Sequence, residues 1–170
     1  LIPSTLNPLS ARADGRTTVE CDTSCDEATL RQLIADAGTT PTRIAVSGMR
    51  DTMITSTVVI PKGADIELVN GIAPWGAASS EGGLVREDGF TGTLVVVEKG
   101  ASLTMGNNEK GGKFYFDSRG KYVPGGGELI YNEGALTINS GTYEGVRDGT
   151  GQRYGAITVR GKDAKFVLND

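Results

Sequence analysis

Four stretches of this chain follow one pattern: an aliphatic run, a glycine, an alternating apolar and polar strand, then an asparagine. They are "TVVIPKGADIELVNG" around Gly63, "LVVVEKGASLTMGN" around Gly100, "LIYNEGALTINSG" around Gly134 and "ITVRGKDAKFVLND" around Gly161. Val59, Val96, Ile130 and Ile157 stand four residues before these glycines. After them come Ile66 and Leu68, Leu103 and Met105, Leu136 and Ile138, and Phe166 and Leu168, with the third copy one residue shorter. The residues between are polar, so one face of each strand is expected to be buried. Lys62, Lys99, Glu133 and Arg160 directly precede the glycines and form an expected solvent-facing charged column. Asn70, Asn107, Asn139 and Asn169 close the strands, where asparagine tolerates a turn conformation. A unit of this size cannot bury its own apolar face and must stack on its neighbours. Strand, corner and strand without helices therefore predict an all-β parallel solenoid, each copy forming one coil and equivalent aliphatics forming internal ladders. The competing architecture is an antiparallel β-sandwich, which also uses many short strands.

One helix is expected before the repeats. Ser24 and Glu27 have capping-box spacing. Ala28, Leu30, Leu33, Ile34 and Ala37 fall on one helical stripe, and Gly38 suits a helix terminus. This helix, within 21–38, is expected to cover the open end of a β core spanning 39–170, about four coils. Residues 1–20 read as a flexible leader. Ala11-Arg12-Ala13 has the small-x-small form of a signal-peptide end, with cleavage before Asp14. Asp170 follows directly on the strand "KFVLN" without a second cap, so the domain is expected to continue further.

Composition removes several chemistries. The 170 residues contain no histidine, which excludes histidine-based triads and histidine metal sites. A net charge of −4 argues against a nucleic-acid partner. No apolar run reaches membrane-spanning length, so no direct membrane insertion is expected. Cys21 and Cys25 do not have CxxC spacing and are too few for a zinc site. They form either a local disulfide in an exported protein or two free thiols beside the helix.

The repeats resemble those of right-handed parallel β-helix proteins of pectin-lyase-like fold. The resemblance covers roughly residues 40–170. Such repeats are frequent in secreted or cell-wall-attached adhesins of Gram-positive bacteria. The resemblance implies a right-handed β-helix with an N-terminal capping helix, exposed at a cell surface. It is weak for function, because the same solenoid carries lyases, hydrolases and binding proteins.

Catalytic residues are not assigned. Asp88, Glu98, Asp117, Glu128, Glu133, Glu144 and Asp148 are scattered, with no paired acidic motif. The glycine-rich loops match neither a phosphate-binding loop nor a calcium repeat, so no cofactor or metal is expected. Two long loops, 71–92 and 106–128, offer ligand-binding candidates: Trp75 in the first, and Tyr115, Asp117, Arg119 and Tyr122 in the second. Aromatic platforms beside planar polar groups suit sugars. The expected role is a non-catalytic adhesin or ligand-binding domain, with glycans or host matrix protein as partners. A fragment of a polysaccharide lyase or glycoside hydrolase, and a passive spacer, are the alternatives.

Overall fold

The computed structural model describes residues 15–21, 25–46, 51–70, 83–106, 115–117, 127–139, 142–144 and 157–169, with backbone register alone at 70, 115–117 and 142–144. One helix, α1 (Glu27–Ala37), sits among fourteen short strands. They are β1 (Thr17–Cys21), β2 (Thr42–Val46), β3 (Thr52–Ile54), β4 (Val58–Ile60), β5 (Asp65–Asn70), β6 (Gly83–Arg86) and β7 (Val95–Val97), followed by β8 (Ser102–Met105), β9 (Tyr115–Asp117), β10 (Ile130–Asn132), β11 (Ala135–Ile138), β12 (Thr142–Glu144), β13 (Ile157–Val159) and β14 (Lys165–Leu168).

From β2 onward the chain visits three sheets in strict rotation. The sheets run β1-β2-β5-β8-β11-β14, β4-β7-β10-β13 and β3-β6-β9-β12. Every strand pair among the described residues is parallel, which rules out the antiparallel sandwich. Parallel neighbours require crossovers, and here the other two sheets supply them.

Equivalent aliphatics meet face to face. In the six-stranded sheet, Ile66, Leu103, Leu136 and Phe166 are in register, as are Ile44, Leu68, Met105, Ile138 and Leu168. All but Phe166 and Leu168 belong to one continuous buried cluster. Fully burying a Leu or Ile contributes about 2–3 kcal/mol, so these ladders carry the fold. Phe166, Leu168 and Val159 hold inner register positions in the last circuit and are exposed.

Two expected columns shift. The column in register with Ile130 and Ile157 is Val58–Val95, not Val59–Val96. Val59 and Val96 lie on the outer face, in register with Tyr131 and Thr158. The asparagine column also splits: Asn139 and Asn169 stack through a 2.7 Å amide bond, but the position level with Asn139 is taken by Gly106.

The long loops are partly strand. Gly83–Arg86 lies inside the stretch expected as loop 71–92, and Tyr115–Asp117 inside 106–128; both pair in the third sheet. The expected leader also ends early. Thr17–Cys21 pairs along its whole length with β2, and Arg16 bonds Asp65 Oδ1 at 2.8 Å. Arg16 lies 3.6 Å from Glu67, whose carboxylate accepts from Arg43 at 2.8 Å. That pairing is why Arg43 and Glu67 are buried although they stand at outer positions of the sheet.

The helix covers one end of the core through Leu30, Leu33, Ile34 and Ala37; Ala28 is exposed. Its cap is Asp26 rather than Ser24: the Asp26 side chain accepts the Thr29 N–H at 2.7 Å. A disulfide joins Cys21, at the end of β1, to Cys25, just before α1. It ties the cap to the first strand.

Glu27 fastens the other side. Its carboxylate accepts from Thr55 N–H and hydroxyl at 2.7 Å, from Ser56 hydroxyl at 2.9 Å and from Arg31. Partial burial by itself would raise its pKa; these hydrogen bonds outweigh burial and hold it at about 2. A depressed folded pKa means stability present above pH 4.5 and lost as pH falls towards 2. Glu27→Gln is therefore expected to melt below wild type at pH 7 and to converge with it by about pH 2. The neutral-pH difference is about 1 kcal/mol after solvent screening. Thermal melts across that range check this, and parallel curves at all pH values would refute it.

Candidate functional site

The connections between the four-stranded sheet that starts at β4 and the six-stranded sheet form one corner of the molecule. In the first circuit this corner is Pro61–Ala64, closed by Ala64 N–H to Pro61 O at 3.0 Å. In the second it is Glu98–Ala101, closed by Ala101 N–H to Glu98 O at 2.9 Å. Gly63 and Gly100 take φ of 88° and 83°, as the third position of a type II turn requires. The fourth corner is Arg160–Ala164, with its own turn from Gly161 to Ala164.

The third corner is different. Only Glu133 and Gly134 separate β10 from β11. Gly134 takes the place of Ala64 and Ala101 rather than of the turn glycines: its carbonyl accepts from Lys165 N–H, as those of Ala64 and Ala101 accept from Ser102 and Ala135. Asn132 makes the shortcut possible. It occupies the inner column of Ile60, Val97 and Val159 and is fully buried. Its side-chain oxygen accepts the Gly134 N–H at 3.0 Å, and its amide donates to Lys165 O at 2.9 Å. This is an Asx turn standing in for a backbone turn.

A corner two residues short between two fuller ones leaves a hollow. The resulting cleft measures about 550 Å³. Gly134, Ala101 and Ala135 lie along it, and Lys62, Lys99, Lys165, Glu133 and Asp163 line it with charge. Lys99 Nζ reaches Asp163 at 2.9 Å across the shortened corner; with 71 % and 55 % of these side chains exposed, the pair is worth under about 1 kcal/mol. The Lys62 stem passes beside Gly100, its Cγ 3.5 Å from where a Cβ would stand, an ordinary van der Waals distance. The charged column is thus Glu98, Glu133 and Arg160 by backbone register, with Lys62 and Lys99 one position further along their turns.

Tyr131 reaches the cleft through Glu133, one of its lining residues. It is half-buried on the outer face of its sheet, above Val96 and Val59, and its hydroxyl lies 3.4 Å from Glu133 Oε1. An aromatic face thus stands next to a carboxylate acceptor and a lysine-lined hollow. The acid before the start of β10 is committed elsewhere: Glu128 accepts from Thr93 at 3.1 Å and Thr158 at 3.0 Å. Its own backbone N–H and these hydroxyls outweigh burial and hold its pKa below the usual value.

Of the residues proposed from sequence, Tyr115 and Asp117 fall in β9, level with Gly83 and Val85. Trp75, Arg119 and Tyr122 lie outside the described residues. Sequence reasoning missed Tyr131, Lys165 and the cleft itself. The signal was present in the shortened third repeat and in a tyrosine interrupting an outer column of valines. Among the described residues no group of three or more acidic or cysteine side chains gathers around a metal-sized space. Compared with protein-family models, with curated proteins and with solved structures, the chain finds no match.

Proposed function

We propose that this chain is a right-handed parallel β-helix domain, displayed outside the cell, that binds glycans without turning them over. The rotation of the chain through three parallel sheets, each strand pairing with the third one on, supports the solenoid reading. A right-handed path follows the general preference of parallel crossovers. The Cys21–Cys25 disulfide supports export to an oxidising compartment. The observation that carries the binding role is Tyr131 bonded to Glu133, whose carboxylate lines the corner cleft. A sugar offers a C–H face for the ring and hydroxyls for the carboxylate.

A glycan and matrix-protein array probed with the isolated domain tests this. Binding without release of unsaturated products or reducing ends is expected, and Tyr131→Ala should weaken it about tenfold at unchanged melting temperature. Product release would replace this reading with a lyase or hydrolase. Binding to neither glycan nor matrix protein would leave a spacer.

A further inference from the structure

The cleft also carries information about which glycan it accepts. The cations that line it, Lys62, Lys99 and Lys165, are all lysines. Four arginines are occupied elsewhere in planar or multidentate roles: Arg16, Arg31 and Arg43 on carboxylates, Arg86 on backbone carbonyls. A guanidinium fork suits a planar carboxylate, whereas an ammonium is a compact point charge without that geometric demand. Lysine lining therefore does not sort anions by shape; it responds to how densely negative charge is placed along the ligand.

The spacing adds a second constraint. Lys62 and Lys99 occupy the same position in successive corner turns, so they are about one strand spacing apart, ~4.8 Å. Lys165 begins the strand two circuits beyond β8. Positive charge thus recurs along the stack axis, interrupted by Glu133 in the third circuit, and the close spacing of Lys62 and Lys99 calls for negative charge set more densely than one carboxylate per disaccharide, as sulfate esters on successive sugars provide. Glu133 sets the third constraint. Its carboxylate would repel a bare polyanion but accepts hydrogen bonds from hydroxyls, as it does from Tyr131. Asp163 neutralises only Lys99, through an exposed pair that an incoming anion can replace at little cost.

Resting on the glycan-binding reading above, we infer that the cleft binds a sulfated polysaccharide laid across the circuits. Sulfate esters meet Lys62, Lys99 and Lys165, and a sugar hydroxyl donates to Glu133.

The test titrates the full chain with heparin, with chemically desulfated heparin that keeps its carboxylates, and with neutral dextran. Heparin should bind, and the desulfated form about thirtyfold more weakly or worse. The triple variant Lys62→Gln, Lys99→Gln, Lys165→Gln should lose about a hundredfold, and the slope of log affinity against log salt should fall by roughly one per lysine. Because these side chains are exposed, the variant should melt within a few degrees of wild type; a second variant, Lys62→Gln alone, covers the case of misfolding and should lose about fivefold. Equal binding of sulfated and desulfated chains, or binding of dextran alone, overturns the sulfate assignment and leaves the glycan reading standing. Heparin binding unchanged in the triple variant overturns the site. Failure of every glycan to bind overturns both.

Discussion

Replacing Arg86 with leucine is expected to cost about 3–5 kcal/mol of stability, a drop of about 10 °C in melting temperature. Arg86 has 0 % of its surface exposed and sits level with Ile54 at an inner position of the third sheet. Its guanidinium donates to the carbonyls of Phe90 and Gly92 in one circuit and to those of Gly127 and Glu128 in the next. The Phe90 ring lies 4.9 Å from the guanidinium carbon. Burial lowers the arginine's pKa, yet an arginine remains charged at any physiological pH. Leucine would fill part of the volume and satisfy none of the carbonyls. Glu128 O has a second donor in Leu94 N–H, so the loss falls on the carbonyls of Phe90, Gly92 and Gly127. Each carbonyl left unpaired in the interior costs about 1–3 kcal/mol. Arg86→Lys should recover part of the loss, because an ammonium has three donors but lacks the span of a guanidinium. Urea titration of both variants checks the order wild type, lysine, leucine. A leucine variant within about 1 kcal/mol of wild type would show that these carbonyls find other partners.

Arg86 also marks the limit of what the sequence made legible. The ladders Ile66–Leu103–Leu136–Phe166 and Leu68–Met105–Ile138–Leu168 could be read directly, because alternation over several residues points to one buried face. Stacked repeats then followed from the need of each unit to bury that face against another. The third sheet could not be read the same way. Gly83–Arg86 has a glycine at one end and a charge at an inner position, and all four of its residues are buried, so no alternation survives. The valine column slipped by one because a run of three valines has no internal register; only the backbone pairing with Ile130 fixes it. For the site, the shortened third repeat was visible, but its consequence was not. That two missing residues open a cleft depends on Asn132 turning inward and on full corners standing either side, both properties of the stack rather than of any one strand.

Gly134→Ala is expected to cost about 3 kcal/mol and to lower the melting temperature by about 6–12 °C. The cause is contact rather than backbone conformation. A Cβ at Gly134 would stand 2.4 Å from Ala101 O, 2.5 Å from Glu98 O and 3.1 Å from Val97 Cγ1. Two of these are backbone atoms of the neighbouring circuit, so relief requires the shortened corner to lift away from it. Lifting would also loosen the Asn132 to Gly134 bond that closes the turn and the bond from Lys165 N–H to Gly134 O. Gly161→Ala provides the contrast: its φ is 106° but nothing lies within 4 Å, so it should cost about 1–2 kcal/mol from backbone strain alone. Equal effects of the two substitutions would mean that the third corner does not rest on the second as described. Inserting Ser-Gly between Glu133 and Gly134 separates stability from function, because it lengthens the corner without adding a cation. It restores a corner of the length of Glu98–Ala101, which the stack already accommodates one circuit earlier. The fold should therefore persist with a modest loss, while the cleft fills and ligand binding disappears. If the insertion variant keeps both its melting temperature and its ligand, the binding surface lies elsewhere on the molecule.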